Sequence, residues 1–521
     1  MSLRAYREMG EFTMRKNLAI FTSAILVGVF VFGNATPVFA SANDIFVGTA
    51  DDATGASSCL DPDFSTDPSD EGDINSALDA ALAAVDDDGD TIIICDGEYE
   101  YQADVNQHDG DLAHGVISIE AAAGAEVSLS GDALYQLFNF TNMDSVSISG
   151  IAFVDAQVTG SGAAIAFDGD ALTVADCSFT DNEATADGAA IYSDGGDVTV
   201  DNCDFSGNDS PGNGAIFVDG AGAFEGVTVT DSTFTDNGPG EGAAISVNGS
   251  DSVVSVTDST FVNNDGNYGA ITIDGGGVEL TRVLMENNDA SGDDGGAVWA
   301  GEYLQVEDST FRNNSGDNGG AIYAYGDVTV SGSTFVGNES AASGGAMYTN
   351  DGDLSISDSS FSDNSAVEEG GAIYVEDCRE TLIDHNSFLT NVAEGTGGGA
   401  INFDCDDRET DAEISNNRFE RNMSNYYGGA TDDDGVKMLV YTRNFFIRNQ
   451  AIGSGFDGSG AVGGAVWISD GRFYRNTFAG NRATAKGGAL YIVGRSDGGT
   501  ARMNRFSGNR APRGAAYYYS R

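Results

Sequence analysis

The sequence predicts an all-β chain wound as a right-handed parallel β-helix, and three observations predict it. A Phe-x-x-Asn tetrapeptide recurs in twelve copies, from Phe179/Asn182 through Phe335/Asn338 to Phe506/Asn509, and a thirteenth copy reads Leu284/Asn287. A Gly-Gly-Ala segment with an apolar residue after it follows most copies at a short distance. Successive copies are mostly 23 to 32 residues apart. A period of that size means stacked supersecondary units. It gives about fourteen to sixteen coils of about 27 residues. No stretch inside the repeats has the length and 3.6-residue period of a helix.

The ends differ from the repeats. Arg15 and Lys16 precede an apolar run from Leu18 to Phe32, followed by small residues at Ala40 and Ala42. Residues 1–42 therefore read as a secretory signal peptide, with Met14 as an alternative start. Residues 43–95 read as an N-terminal cap. Within it Asp73 can cap a helix over residues 73–85, with Ile74, Leu78, Leu82 and Val85 on one face. Such a helix would shield the strand edges at that end of the solenoid.

Residues 96–521 are then the β-helix itself. The copy from Gly319 shows its parts. Ala321, Ile322 and Tyr323 form a short apolar run. Gly326 and Asp327 turn the chain. Val328 and Val330 alternate with Thr329 as in a strand. Phe335 points inward and Asn338 closes the coil. Coils stack about 4.8 Å apart, so each side chain meets its own kind. Phe stacks on Phe, and Asn can build an amide ladder because an amide both donates and accepts. The glycines admit a positive φ. A right-handed winding follows from the rule for parallel crossovers.

These paired FxxN and GGA(I/L/V) repeats resemble those of the chlamydial polymorphic outer membrane proteins. The resemblance covers about residues 179–515. It implies a pectin-lyase-like parallel β-helix, export to the cell surface or outer membrane, and adhesion as the usual role. One departure is plain. Family members end in a membrane β-barrel, and no run of alternating apolar strands follows the last repeat here.

Six cysteines in an exported chain suggest disulfides. Cys177 and Cys203 hold the same register one coil apart. Cys378 and Cys405 do so too, and each opens an Arg-Glu-Thr loop. Cys59 and Cys95 would tie the cap. Free buried thiols are the alternative.

The formal net charge is −59, unevenly spread. Residues 436–521 hold thirteen Lys/Arg and three Asp/Glu, a net of +10, which leaves −69 for the rest. The change follows the register. Asp176, Asp231, Asp258, Asp308 and Asp358 occupy the slot three residues before Phe, and Arg443 and Arg475 take it later. Stacked carboxylates repel or gather cations, so weak Ca²⁺ binding is expected along those five aspartates. A merely solvated acidic surface is the alternative. Arg443, Arg448, Arg475, Arg482 and Arg510 are candidates for gripping an anionic surface or the acidic coils of a second copy. Nothing points to nucleic acid.

Chemistry is less well supported. The best cluster for a polysaccharide lyase or hydrolase is Arg379, Asp384, His385, Asp404 and Arg408, and a braced protruding loop explains it equally. The reading is an exported, adhesin-like rod that binds glycans, wall polymers or neighbouring cell surfaces through the variable loops after each Asn. The alternatives are a polysaccharide-cleaving enzyme and a surface-layer or filament component.

Overall fold

The computed structural model describes residues 90–101, 106–109, 115–220, 226–290, 292–405, 411–436, 438–454, 460–469, 471–493 and 501–520. Before them it describes Asp44–Thr49, Phe64–Thr66 and residues 77, 78, 81 and 82. Residues 1–42 lie outside this description, as do Asp73, Ile74 and Val85 of the expected cap helix. Ala77, Leu78, Ala81 and Leu82 are helical and pack into the same core as Val47 and Ile92.

The rest is a right-handed parallel solenoid of about 14 turns, about 27 residues each. One turn shows the plan. The first face is Ile322–Tyr325 and the second is Asp327–Ser331. The third is Thr334–Val336. A fourth strand of only two residues, Glu339–Ser340, follows the ladder asparagine, and the sequence pattern did not announce it. All register pairs are parallel, as in Thr334↔Ser360, Phe335↔Phe361 and Val336↔Ser362. The first two faces merge into one 30-stranded sheet, because some turns, such as Ile245–Thr257, run through the bend as a single strand. The third face is a 16-stranded sheet and the fourth a 7-stranded one.

The core is a single column of inward side chains. Phe rings of successive turns stack nearly parallel, with centroids 4.6 Å apart for Phe179 and Phe205 and for Phe335 and Phe361. Such pairs contribute about 0.5–1.5 kcal/mol beyond burial. The thirteenth copy is corrected by one residue. Met285, not Leu284, pairs with Phe261 and Phe311, and Asn288, not Asn287, enters the ladder. The doubled Asn287-Asn288 hid the register; Asn287 sits at a corner with φ 55°.

Each ladder amide does four things. Asn338 donates through Nδ2 to Phe311 O of the preceding turn (3.1 Å) and to Asn364 Oδ1 of the next (2.9 Å). Its own Oδ1 accepts from the backbone N–H and the Nδ2 of Asn314, both at 3.0 Å. Asn338 is wholly buried, so these bonds satisfy groups that water cannot reach.

Only the first glycine of each pair uses the left-handed region. Gly319 has φ 65°, and a Cβ there would stand 1.9 Å from the Ile322 carbonyl oxygen. The second is required by packing: a Cβ on Gly320 would lie 2.3 Å from Gly345 O in the next turn.

The cysteine expectations divide. Cys378 and Cys405 form a disulfide with Cα atoms 5.2 Å apart. Cys95 is disulfide-bonded, and Cys59 lies outside the described residues. Cys177 and Cys203 are free buried thiols, contrary to the disulfide expected of them. Each Sγ is turned to a carbonyl two residues back, Ala175 O and Asp201 O, at 3.2 Å. Cys203 Sγ also accepts the Cys177 N–H at 3.4 Å. These are the bonds that Ser232 and Ser259 make in the same slot one and two turns on. A disulfide would have to turn both sulfurs away from them.

Candidate functional site

The charged slots turn out to be the corners of the solenoid. Asp176, Asp231, Asp258, Asp308, Asp358, His385, Arg443 and Arg475 all have φ between 48° and 59°. They stand in one column between the second and third faces. Asp181, Asp236, Asp363, Arg421 and Arg448, with φ 53° to 58°, stand in the corner after the third face. Asp, Asn and Gly tolerate this conformation, which explains the acidic repeats without invoking a ligand. The columns also interleave charge. Asn202 Nδ2 donates to Asp176 (2.5 Å), and Arg282 bridges to Asp258 (2.6 Å). Among the described residues no three His, Cys, Asp or Glu side chains converge to hold a metal.

The basic candidates are exposed on the last turns. Arg443 and Arg475 share the first corner column, whereas Arg482 and Arg510 pair across turns on the fourth face. Among the described residues none of Arg443, Arg448, Arg475, Arg482 and Arg510 forms an ion pair, unlike Arg282 and Arg312 in the acidic turns.

Of the five residues considered for catalysis, the four described ones do not come together. Asp384 and His385 end the strand Thr381–Asp384, with His385 Nδ1 2.7 Å from Asp384 Oδ2. Burial opposes ionisation of Asp384. Hydrogen bonds from Ser415, Asn416 and His385 outweigh it and hold the carboxyl below its ordinary value. Arg379 lies beyond the other end of that strand and pairs with Asp351 at 3.2 Å. Asp404 accepts from the Tyr374 hydroxyl at 2.9 Å, on the first face. Arg408 lies outside the described residues.

What the fold does assemble is a groove. The two-residue strands of the fourth face leave small residues as its floor, including Gly316, Ser340, Ala366 and Ala393. Two hollows lie along it. One, about 520 Å³, runs past Asp289, Ser315, Asp317, Glu339, Ser365 and Glu394. The other, about 350 Å³, runs from Glu394 past Thr396, Asn425 and Tyr426 to Ser454. They meet at Glu394. Together they touch seven successive turns, roughly 29 Å along the axis at ~4.8 Å per turn. The lining is acidic and hydroxyl-bearing, with no Lys or Arg in either hollow. Tyr426 supplies an aromatic wall, edge-on to Tyr427 with centroids 4.2 Å apart. The expected variable loops Glu339–Ser343, Val392–Thr396 and Met423–Tyr427 form its sides.

A second feature borders the groove. On the first face Tyr323, Tyr348 and Tyr374 stack with centroids 5.0 Å apart, beginning at Trp299. Tyr348 donates to Glu376 at 2.5 Å. The sequence reading missed this column, though Tyr323, Tyr348 and Tyr374 share one offset from their Gly-Gly-Ala.

A parallel β-helix with an axial groove is the class this geometry defines. The family description "Right handed beta helix region" matches residues 118–282, 243–404 and 344–521, and the chain belongs to that family. No curated protein matches its sequence. Several solved structures are similar to this chain at low identity. A mannuronic acid specific polysaccharide family 6 lyase from human gut microbiota is 14% identical, over 77% of this chain and 85% of its own, with a TM-score of 0.38. A PL6 alginate lyase solved with a trisaccharide is 13% identical over 84% and 86%, TM-score 0.41. A GH87 α-1,3-glucanase from Streptomyces thermodiastaticus strain HF3-3 is 12% identical over 87% and 70%, TM-score 0.34. At this level the neighbours lend the chain neither substrate nor mechanism.

Proposed function

We propose that this chain is an exported, surface-displayed β-helix that binds extended polysaccharide along the groove of its fourth face. The observation that carries the reading is the groove's shape and lining. It crosses seven turns, so it accepts a linear polymer rather than a small molecule. Ser315, Ser365, Thr396 and Asn425 offer hydrogen bonds to sugar hydroxyls, and carboxylates accept from them. Tyr426 offers a face for a sugar ring. The acidic rim selects a neutral or amino-bearing glycan and repels an anionic one. Export is supported by the basic-then-apolar N-terminal segment and by the Cys378–Cys405 disulfide.

The test is a glycan-array screen on the full chain at low and high salt. We expect retention of neutral or amino-bearing polysaccharides that survives salt and weakens about tenfold in Tyr426→Ala, or ~1.4 kcal/mol. Binding confined to anionic polymers, lost in salt and indifferent to Tyr426→Ala, would move the function to the arginine corners.

One observation favours a second reading, cleavage of a polysaccharide. The exposed His385 imidazole is oriented by Asp384, itself held by Ser415 and Asn416, as a proton-transfer group would be. Release of shortened or unsaturated sugars by the full chain, abolished in His385→Ala, would establish it.

A further inference from the structure

From Trp299 onward the outward column of the first face is aromatic except at one place. Trp299, Tyr323, Tyr348 and Tyr374 stack over the glycine corners, and Trp467 and Tyr491 resume the column. Between them stand Asn402 and Asp432. Both are buried, at 4% and 7% exposure. Asp432 Oδ1 is shut off from solvent and has no hydrogen-bond partner.

A third group bonds the other end of the Asn402 amide. Glu369 precedes its glycine pair, and its Oε2 accepts from Asn402 Nδ2 at 2.6 Å. Its Oε1 accepts from the Thr396 hydroxyl. One turn on, the position equivalent to Glu369 is Gly397, an extra glycine ahead of Gly398-Gly399. A Cβ on Gly397 would lie 2.0 Å from Asp432 Oδ2 and 2.9 Å from Asn402 Oδ1. Both oxygens therefore face the side of Gly397 where any other residue would carry its Cβ, and Asp432 Oδ2 reaches into the space this leaves. Among the described residues neither Glu369 nor Asp432 has a cationic side chain within ion-pair distance.

We propose that Asp432, Glu369 and Asn402 bind a single hard divalent cation, of which calcium is the fitting example, in the gap beside Gly397. Two carboxylates and an amide oxygen form an all-oxygen set, which suits calcium, and water can complete its coordination. The charge answers a specific need. Burying the Asp432 carboxylate near the half-buried Glu369 without a counter-charge is costly. Burial, then the neighbouring Glu369, hold the Asp432 carboxyl well above its usual range, and burial followed by Asp404 raises Glu369. A cation in the gap would reverse both. It would also fix Thr396, a groove-lining residue, through Glu369.

The experiment is calorimetric titration of the full, chelator-stripped chain with calcium chloride at neutral pH, alongside thermal unfolding with and without calcium. We expect one ion per chain at this site and a rise in Tm. Binding should weaken at least tenfold in Asp432→Asn. Gly397→Ala, which fills the gap and keeps both carboxylates, should also lose it while native circular dichroism is retained. Undiminished calcium binding in either folded variant would overturn the proposal and place the ion on the corner aspartates. No calcium heat in the native chain, with a higher Tm for Asp432→Asn at neutral pH, would overturn it in favour of a shared proton.

Discussion

The slot two residues before each core phenylalanine divides the solenoid into two regions built on the same backbone. From Cys177 to Ser359 it holds Cys, Ser or Val; from Asn386 to Asn504 it holds Asn in five successive turns. Serine bonds once within its own turn and once to a neighbouring one. Ser309 Oγ donates to Glu307 O (2.8 Å), and its one bond to another turn accepts the Val283 N–H (3.0 Å). Asparagine bonds between turns. Asn417 accepts the Asn386 N–H (2.7 Å) and donates to Ile383 O (2.7 Å) and Asn444 Oδ1 (3.2 Å). The second region thus carries two asparagine ladders where the first carries one. It is also the region where the adjacent corner turns from Asp to Arg, so that Arg443 and Arg475 stack as like charges. Extra cross-links between turns thus lie in the turns that stack Arg443 on Arg475.

The sharpest way to break this comparison is to delete one side chain from each ladder. Asn417→Ala takes the side-chain partner from the buried Ile383 carbonyl and the buried Asn386 N–H, and removes one of the two donors to Asn444 Oδ1. At ~1–3 kcal/mol for an unsatisfied group, the loss should be about 3–5 kcal/mol. Ser309→Ala strands one N–H and should cost about 1–2 kcal/mol. Urea midpoints of the two variants should differ accordingly. Equal losses would show that the second ladder adds nothing.

A second asymmetry is polar and internal. Asp433 points into the core just before the basic region, in the column that holds Phe403 and Val375 one and two turns earlier. It is wholly buried, accepts from Val436 N–H at 3.2 Å, and burial pushes its carboxyl up to about 8. The unfolded chain ionises near ~3.9. Between those values the folded state holds the proton and the unfolded state has lost it. The stabilisation is therefore complete below about pH 4, falls as pH rises, and is gone above about pH 8. Asp433→Asn should flatten that part of the stability–pH curve and raise stability at pH 8 by about 3 kcal/mol. An unchanged slope would mean that Asp433 is ionised and compensated in the fold.

The corners supply a smaller effect of the same sign. Arg475 has φ 58°, which costs a residue with a Cβ about 1–2 kcal/mol. Arg475→Gly should stabilise by about 1 kcal/mol, visible as a higher thermal midpoint, and more at low salt than at high salt because Arg443 loses a like-charged neighbour. Destabilisation would mean that Arg475 has an undetected partner.

These corners also mark how far the sequence could be read. The winding was legible, because Phe335, Asn338 and Gly319 each have one physical role and repeat at fixed offsets. Register was legible except at Leu284-Met285 and Asn287-Asn288, where two adjacent residues fit the pattern equally. The corners were legible as charge but not as conformation. Asp176, Asn202 and Gly332 share a slot because they share a tolerance for positive φ, and Arg443 then enters at a cost. The groove was half legible. Its loops stood out as variable, but its floor of Gly316, Ser340 and Ala366 came from strands too short to leave a period. The Glu369–Asn402–Asp432 group was not legible at all. Its members lie in successive turns, and only the winding brings them together.

The mildest prediction concerns the two thiols. If Cys177 and Cys203 serve only as members of the serine slot, the hydroxyl of serine should reproduce both bonds each makes. The double variant Cys177→Ser, Cys203→Ser should then unfold within about 0.5 kcal/mol of the parent, with or without reductant. Thiol titration of the parent should find these two cysteines unreactive until the chain is denatured, since both are buried. A marked loss of stability in the double variant, seen only without reductant, would show that the pair is bonded in solution and that the stacked register favours a disulfide over the serine-like arrangement.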